Sequence, residues 1–408
     1  MEKERINLVS DPGKCSGCGA CMAVCPKGAI TMQEAADGCV YPVIDHDKCI
    51  RCGKCLRICD FHRPETLRAP LAAWAAAGRD DVLVKQSASG GVFATLAMRW
   101  IAGGGLVAGA VMDADAKGLQ VYHLLSDKAE DVRRMQGSKY VQSDAWRCYA
   151  DVTAALRAGR RVLFSGTPCQ GAAIRRITGD PENLTTIDII CHGVPPQGML
   201  RGYAEILSRR FHAQLTGIAF RDKSIQRSFC ARIDLQRGKR TSSLYLRSHE
   251  LSYYKYFLES AIYRENCYQC PYARLERAAD LTIGDYWGVG EYHASQITAD
   301  NMKHHSDWSC ILVNTDKGQR LLTQSAESFD LIPAQAAWVA AQNHQLQQPS
   351  RKSDNRESLL KLYHTQGYHG VEAAYVRAAG GKIRYAVRLL RQIRRNRKAH
   401  MNNEGQQS

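Results

Sequence analysis

Hydrophobic residues in the middle of the chain follow two periodicities in turn, and this alternation predicts successive strands and helices. Short runs of aliphatic and β-branched residues indicate strands, and apolar residues spaced three and four apart indicate helices. The predicted strands are 71–77, 105–113, 121–125, 161–165 and 185–190, followed by antiparallel strands between 215 and 246. The predicted helices are 91–101, 144–158 with Asp144 as N-cap, one beginning near Cys169, and 196–211. We therefore expect a mixed α/β or α+β body.

The two ends of the chain follow different patterns. Residues 1–62 read as two short strand–turn–helix halves, each opening with a run of cysteines, and 38–45 is the strand that enters the second half. Residues 62–70 contain two prolines and predict a linker. From Gly381 onward the pattern predicts a basic amphipathic helix. Its apolar face contains Ile383, Ala386, Val387 and Leu390.

Eight of the sixteen cysteines fall in two copies of one spacing, C-x2-C-x2-C-x3-C, at residues 15–25 and 49–59. This is the ligand pattern of two-cluster bacterial ferredoxins, in which the fourth cysteine of each run ligates the other cluster. The predicted ligand sets are Cys15, Cys18 and Cys21 with Cys59, and Cys49, Cys52 and Cys55 with Cys25. Structural zinc, the alternative, favours two separated CxxC pairs around one ion. Asp60, rather than proline, follows the second run and leaves its last turn less constrained.

Four further cysteines are candidates for a third 4Fe–4S cluster. Cys169 and Cys191 each follow a predicted buried strand, where α/β sheets present ligand-binding loops. Cys267 and Cys270 form a CxxC pair just before a proline. The alternative is a set of buried free thiols, because unpaired cysteine is among the most buried residue types.

Three segments of the body carry candidate binding chemistry. The segment SASGG at 87–91 precedes a predicted helix, and its hydroxyls and paired glycines expose backbone N–H groups that suit a phosphate. The segment QGSKY at 136–140 offers a cation, a hydroxyl and a ring for a nucleotide. Asp285 lies between two glycines beside aromatic rings, which fits a cofactor or substrate contact. Ordinary turns are the alternative for all three segments.

The length of the chain predicts the number of domains, and its charge predicts the partners that the tail could bind. A chain of 408 residues predicts two or three domains. Its net charge is +15, and nine basic residues with no acid lie within 377–398, so the tail carries most of the excess. This tail suits an anionic membrane surface or an acidic partner, and a solvated helix is the alternative. Nucleic acid is not expected, since no aromatic and basic platform accompanies the tail.

The cysteines also predict where the protein works. Thiolates that bind iron require a reducing compartment, because they would form disulfides in a secreted chain. No apolar stretch precedes Cys15, so no signal peptide is expected. The apolar window 90–112 is interrupted by Arg99 and by three consecutive glycines, which argues against a membrane-spanning helix. We expect a cytoplasmic protein, with the tail able to place it at the inner face of the membrane.

Taken together and in order, several segments resemble the coenzyme F420 hydrogenase/dehydrogenase beta subunit family. The resemblance covers roughly residues 70–320 and is carried by SASGGVF (87–93), VAGAVMD (107–113), QGSKYVQS (136–143), LFSGTPCQ (163–170), DIICHGVP (188–195), FRDKS (220–224), CYQCPYARLERAADLTIGDYWG (267–288) and CILVNTDKG (310–318). Members of this family are flavoproteins that bind FAD and iron–sulfur clusters. Some exchange electrons with the deazaflavin coenzyme, and others reduce different substrates, including a chlorophyll derivative.

The resemblance implies a function and a set of site residues. It implies a third cluster at Cys169, Cys191, Cys267 and Cys270. It also implies FAD contacts at Ser87, Ser89, Gly90, Gly91, Gly137, Ser138, Lys139 and Tyr140. Lys139, His192 and Asp285 are candidates for supplying protons or for orienting substrate and flavin.

The expected activity is an iron–sulfur flavoprotein oxidoreductase. Reduced ferredoxin or a partner subunit loads the clusters, and FAD passes electrons in pairs to an unidentified organic substrate or to the deazaflavin coenzyme. The alternative is an electron-transfer subunit of a larger complex with no substrate site of its own. Residues 1–62 carry eight basic and eight acidic residues, so their total charge predicts no strong steering of an acidic donor.

These arguments divide the chain into five predicted parts. Residues 1–62 form a two-cluster ferredoxin-like domain, and 63–80 contain the linker and the first strand of the body. Residues 81–165 and 166–345 are the N-terminal and C-terminal parts of a flavoprotein body, and the second of these contains the third cluster site. Residues 346–408 form the helical basic tail.

Overall fold

An eight-stranded mixed sheet forms the centre of the molecule. A computed structural model of the protein describes residues 8–64, 66–115, 118–224, 229–297 and 308–404. In these residues, the large sheet is accompanied by a two-stranded sheet near the N-terminus and by a separate three-stranded sheet. Helices follow at the C-terminus. The predicted mixed α/β class is confirmed, and the division into five parts stays a prediction.

The N-terminal module, residues 8–62, contains two short helices and two paired strands. Its elements are α1 (Ala20–Ala23), β1 (Ile30–Glu34), β2 (Val40–Ile44) and α2 (Lys54–Ile58). The two strands pair in antiparallel fashion, and β2 confirms the strand predicted at 38–45. Each helix begins inside a cysteine run, directly after a glycine in the left-handed region (φ 75° at Gly19 and 71° at Gly53). A residue with a β-carbon rarely adopts that conformation.

The other strands form the large sheet and the three-stranded sheet. In chain order they are β3 (Ala72–Gly78), β4 (Leu106–Asp115), β5 (Gly118–Ser126), β6 (Val162–Gly166), β7 (Leu184–Ile189), β8 (Gln214–Ala219), β9 (Cys230–Arg237), β10 (Arg240–Arg247), β11 (Leu281–Asp285), β12 (Ser309–Val313) and β13 (Phe329–Ala334). The large sheet has the order β13-β3-β12-β11-β7-β6-β4-β5, and β10-β9-β8 form the smaller antiparallel sheet. Strands β11, β7, β6 and β4 are parallel to one another, so the loops that leave their carboxyl ends meet at one edge.

Helices are distributed through the rest of the chain, and some of them cover the two faces of the large sheet. In chain order they are α3 (Asp81–Lys85), α4 (Val92–Ala102), α5 (Ala129–Met135), α6 (Tyr149–Arg157), α7 (Pro168–Thr178), α8 (Gln197–Phe211), α9 (Ser252–Leu258), α10 (Val289–Tyr292), α11 (Asp316–Ser325), α12 (Ala336–Gln342), α13 (Arg356–Ala378) and α14 (Lys382–Glu404). On β6, Leu163 packs in the core cluster of α4, α5 and α11, whereas Val162 and Phe164 pack with α6 and α7. Alternate side chains of a strand point to opposite faces, which explains this division.

One predicted helix boundary is wrong. The helix expected over 144–158 starts with a 3-10 turn, Ala145–Cys148, and only then becomes α6. Asp144 does not cap it with its side chain. The Asp144 carboxylate instead accepts hydrogen bonds from Arg147 (2.9 Å) and from the Gln197 amide (2.7 Å). The carboxylate oxygens that would cap the helix are therefore occupied by the side chains of Arg147 and Gln197.

The predicted tail helix α14 is present, and the face that it buries against the body is one for which no burial was predicted. Tyr385 and Leu389 are buried against the body, because the Tyr385 hydroxyl accepts a hydrogen bond from Arg210 and the ring meets Tyr375 edge-on. The predicted apolar face stays in solvent: the exposed fractions are 82% for Ile383, 43% for Val387 and 56% for Leu390, and Ala386 is also exposed. Among the residues with described structure, no helix combines the length and the hydropathy that crossing a bilayer requires.

A fully buried arginine of the body fastens the N-terminal module. Arg264 donates hydrogen bonds to the carbonyl oxygens of Cys15 and Val40 and to the side chain of Gln142. Gln142 in turn donates to the carbonyl of Ser16 (2.9 Å). The contact is close, since a β-carbon on Gly19 would lie 2.6 Å from Trp146. Buried polar contacts of this kind fix one relative arrangement of module and body.

The end of the module is fastened separately. Asp60 accepts hydrogen bonds from the Tyr272 hydroxyl (2.6 Å) and from Arg176 (3.2 Å). The predicted linker is also held, because Arg68 and Arg277 exchange two backbone hydrogen bonds. The missing proline after Cys59 is therefore compensated by contacts across the interface rather than by local stiffness.

We expect Arg264→Met to lower the free energy of unfolding by about 3 kcal/mol, because it leaves three buried oxygens without their donor. Chemical denaturation of the anaerobically purified protein measures this change. Arg274→Met is the matched control, since Arg274 forms an ion pair with exposed Glu276 at the surface. Its effect should stay within about 0.5 kcal/mol. Equal effects of the two substitutions would contradict the role given to Arg264.

Candidate functional site

Four cysteines from both cysteine runs line one cavity of the N-terminal module, called here the outer cavity. They are Cys25, Cys49, Cys52 and Cys55, which is the second predicted ligand set. Ala29, Ile30, Ile44 and Ile50 form the apolar part of the wall, Lys27 and Lys54 also line it, and the Ala29 N–H lies 3.3 Å from the Cys25 sulfur. Among the twelve candidate ligands only Cys52 is exposed. Four thiols in an apolar wall with an N–H group aimed at sulfur suit an iron–sulfur cube.

The first predicted ligand set lines a second cavity, called the middle cavity. It contains Cys15, Cys18, Cys21 and Cys59. Burial raises the pKa of the Cys18 thiol to about 12 and raises the pKa of the Cys21 thiol as well. Thiols so far from water keep their protons unless a metal cation replaces them. The donor set therefore fits iron.

Cys169, Cys191, Cys267 and Cys270 meet in a third cavity, called the inner cavity. Cys169 lies in the first turn of α7 after β6, and Cys191 follows β7, so the parallel strands bring them to one edge of the sheet. Burial raises the pKa of Cys191 to about 12 and that of Cys270 to about 11. The third candidate set thus meets the same conditions as the set in the middle cavity.

The structure also shows where the remaining four cysteines lie and whether side chains are grouped around a single metal ion such as zinc. Cys39, Cys148, Cys230 and Cys310 are buried and line none of the three cysteine cavities. Over the described ranges, no three histidine, cysteine, aspartate or glutamate side chains are grouped so that they could hold a single metal ion.

The fourth and largest of these cavities, about 280 Å³, brings the predicted flavin and catalytic residues together. Its wall includes Ser87, Ser89, Gly91, Gly137, Ser138, Lys139, Tyr140, His192 and Asp285. Gly90 is not part of the wall: it is buried, and its N–H donates to the Ser309 hydroxyl (3.0 Å). Cavities of a few hundred Å³ with few polar groups are typical of cofactor sites.

The start of helix α4 forms one side of the large cavity. Gly91 is the N-cap in the left-handed region (φ 78°), and Val92 and Phe93 also line the wall. The first N–H groups of a helix have no partner within the helix, so they attract an anion such as a cofactor phosphate. Ser87 is committed elsewhere, since its hydroxyl donates to the Leu83 carbonyl (2.7 Å) and holds the loop.

The segment 136–140 forms another side, and it contains a polar atom with no partner in the described residues. The Gln136 amide nitrogen donates to Ser87 and Leu83, whereas its buried oxygen accepts nothing. Lys139 donates to the carbonyls of Arg134 and Gln136, both at 2.8 Å, at the end of α5. Burial lowers the pKa of Lys139 to about 7, and the charge of Arg134 adds to the effect. A cofactor with polar N–H and oxygen groups fits this wall.

An ion pair and aromatic rings border the mouth of the large cavity. Arg221 donates to the Asp285 carboxylate (2.9 Å), and its guanidinium lies over the rings of Phe229 and Trp287. Trp287 is 41% exposed, so this side opens to solvent. His192 also faces solvent within the concave wall, where desolvation lowers its pKa despite the opposing charge of Asp285.

His123 and Arg221 also line the large cavity, and no sequence pattern predicted a role for either residue. His123 lies in β5, stacks on Phe164 (5.1 Å between ring centroids) and lines the large cavity. Its Nε2 bonds the Ser165 carbonyl (2.9 Å), and its buried Nδ1 has no partner in the described residues. Burial lowers the pKa of His123 to about 4, so the ring is neutral near pH 7. His123 lies within the predicted strand 121–125, and no motif around it distinguishes it from an ordinary core residue.

The cavities follow one another through shared walls. Cys169 and Ser16 line both the middle and the inner cavity. The inner and the large cavity share Thr167, Gln170, Cys191, His192, Gly193 and Val194. The order is outer, middle, inner and large cavity, because the outer and middle sets exchange their fourth cysteines within one module.

Two protein families match the chain, and both agree with this geometry. Residues 159–335 match the family that represents the C terminus of the beta subunit of coenzyme F420 hydrogenase/dehydrogenase, and residues 14–62 match a 4Fe-4S dicluster domain. No protein with a curated description matches. Among solved structures, a chain of the F420-reducing [NiFe] hydrogenase complex from Methanosarcina barkeri is 14% identical, with a TM-score of 0.44 over 73% of this chain and 94% of that chain. Residues 14–62 are thus similar to a 4Fe–4S dicluster domain, and residues 159–335 are similar to the C terminus of the coenzyme F420 hydrogenase/dehydrogenase beta subunit.

Proposed function

We propose that the protein is a cytoplasmic iron–sulfur flavoprotein oxidoreductase. It takes electrons from reduced ferredoxin or a partner subunit and delivers them to a small organic substrate or a deazaflavin coenzyme. One observation carries the proposal: twelve cysteines form three consecutive cavities, and the last of them shares a wall with the large cavity. The flow can also run in the opposite direction.

The residues that would hold each group follow from the cavities. The outer, middle and inner cysteine sets would each hold one 4Fe–4S cluster, and the wall of the large cavity would hold FAD. When bound, the clusters supply one-electron steps and the flavin couples them to a two-electron reduction. At the flavin site the start of α4 is placed to bind a phosphate, and the Gln136 oxygen is placed to accept a hydrogen bond.

The chain's own ionisable groups serve the proton side of the reaction. Lys139 Nζ, with a pKa of about 7, can hold a proton at the cavity wall and release it near neutral pH. His192 faces the same space and is accessible to solvent, which suits proton exchange with water. Arg221 donates a hydrogen bond to the Asp285 carboxylate and so holds it in one position. A carboxylate held in this way can orient a molecule bound in the cavity.

Two observations bear on whether the protein has its own substrate site. The exposed fractions of Ile189 and Trp287 on the cavity wall, 39% and 41%, favour a site that a small molecule can enter. The matching family is named for a beta subunit, which supports work within a larger complex. A protein that docks with partners and also binds a small substrate agrees with both.

The exposed face of α14 suits contact with an anionic surface. Ile383, Val387 and Leu390 recur at i, i+4 and i+7, and Arg384, Arg391 and Arg394 are exposed on the same helix. Aliphatic side chains that enter the headgroup region beside arginines bind anionic lipid. We propose that this helix rests on the inner face of the membrane while Tyr385 and Leu389 keep it attached to the body.

We expect anaerobically purified protein to contain about twelve irons and one FAD per chain. Cys267→Ser should remove the cluster of the inner cavity and leave about eight irons. Cys148→Ser is the matched control, because Cys148 is buried but lines none of the cysteine cavities. Iron, sulfide and flavin are quantified together. Equal iron content in the two variants would contradict the prediction of a third cluster, and a colourless protein would overturn the whole proposal.

A negative charge at the start of α4 should weaken flavin binding. Ser89→Glu places a carboxylate at the cavity wall, where it repels a phosphate, and we expect about tenfold weaker FAD binding. Gln86→Glu adds the same charge three residues earlier at an exposed position outside the wall. Flavin fluorescence titration of the apoprotein compares the two. Equal affinities would show that phosphate does not bind at this helix end.

The membrane contact predicts a loss of vesicle binding without loss of fold. Replacing Ile383 and Leu390 by serine should lower partitioning onto vesicles containing phosphatidylserine about tenfold per residue. Leu71→Ser with Val82→Ser removes two comparably exposed aliphatic side chains elsewhere and should change little. Sedimentation with vesicles at two salt concentrations measures the effect. Identical partitioning of both double variants would rule out the contact.

A further inference from the structure

We infer that the surface around Cys52 is the docking site of a small acidic electron-transfer protein. The inference rests on the proposed function, since it locates where electrons pass between the clusters and the donor. This docking surface consists of the exposed residues that surround the outer cavity: Pro26, Lys27, Ile50, Arg51, Cys52, Lys54 and Arg57.

The outer cavity is the part of the cysteine path that reaches the surface. Of the twelve candidate ligands, Cys52 alone is exposed, whereas the others are buried or half-buried. Ile50 lies beside it, lines the same cavity and has 57% of its surface in solvent. An aliphatic side chain left in solvent next to an exposed ligand provides a dry centre for a partner's contact.

The docking surface is uniformly basic. Lys27 and Lys54 line the outer cavity, and neither forms an ion pair within the described parts of the chain. The Arg57 guanidinium donates to the Cys52 carbonyl (3.0 Å), which places a positive charge at the rim of the cavity. Residues 48–59 contain four basic residues and no acid. Charges of one sign around a small apolar centre steer a partner of the opposite sign.

Three acids of the module are engaged by basic or hydroxyl groups, and Asp47 is an exposed acid that precedes the second cysteine run. Glu34 pairs with Arg201 of the body, and Asp60 with Arg176 and Tyr272. Asp45, close to the second cysteine run, pairs with Lys48 (3.0 Å). The numbers of basic and acidic residues in the module are equal, but the basic residues are concentrated around the outer cavity. The expectation of weak steering, which was based on the total charge, therefore does not apply to this surface.

An acidic redox protein suits the surface better than a second copy of this chain. The chain carries a net charge of +15, and two copies of a basic surface repel each other. Electron-transfer encounters use small interfaces with a charged rim, which suits one exposed isoleucine beside Lys27, Lys54 and Arg57. A small acidic 4Fe–4S ferredoxin meets these requirements.

The test follows reduction of the clusters in the anaerobic holoprotein by stopped-flow absorbance, with a reduced acidic ferredoxin as donor. Lys27→Glu with Lys54→Glu should lower the second-order rate constant at least about tenfold at low salt, and the difference should shrink as salt is added. Lys128→Glu with Lys239→Glu makes the same change in net charge at exposed positions far from the cysteines and should have little effect. Ile50→Ser should lower the rate about tenfold at both salt concentrations, and the rate is compared per loaded cluster after iron is quantified, because Ile50 also lines the outer cavity.

Reduced methyl viologen separates this inference from the proposed function. It is a small cation that needs no docking, so the Lys27 and Lys54 double variant should be reduced by it at least as fast as the parent protein. Equal ferredoxin rates in the two charge-reversed double variants would overturn the docking surface and leave the oxidoreductase proposal standing. Clusters that neither donor reduces would overturn both.

Discussion

The joint between the N-terminal module and the body is the constraint on which the rest depends. Arg264 is fully buried and donates to three oxygens, two of them carbonyls of the cysteine-bearing module. Without that joint the middle and inner cavities would not share Cys169 and Ser16. A buried cation that satisfies three acceptors costs a great deal to move, so the arrangement of the cavities is held rigidly.

The cysteine sets and most of the strands and helices could be predicted from the chain alone. Both cysteine runs carry their chemistry in local spacing, and the structure brings each of the two predicted sets into one cavity. The parallel strands β6 and β7 were visible as short β-rich runs, and their common edge explains how Cys169 and Cys191 meet. The grouping of Cys191 with Cys267 and Cys270 was only one of two readings of the cysteine pattern, and the family resemblance favoured it, because no local pattern links segments so far apart.

What could not be predicted depends on contacts between distant segments. Arg264 stands three residues before a cysteine pair and looked like any polar loop residue, yet its partners lie in the first 40 residues and at Gln142. His123 had the signature of a strand position. The contact of α14 with the body was not predicted, because Tyr385 accepts a hydrogen bond from Arg210, which lies far away in the chain and which the helical pattern cannot reveal. The total charge of the module likewise concealed its distribution.

Asp60 has a consequence for how the holoprotein comes together. A proline would give the last turn of the module its shape before any other part of the chain is present, whereas Asp60 acquires its partners only from Tyr272 and Arg176. Cys59, one residue earlier, lines the middle cavity. Binding of iron and inorganic sulfide in the middle cavity and docking of the N-terminal module on the body therefore favour each other. Cluster insertion and the association of module and body are thermodynamically linked.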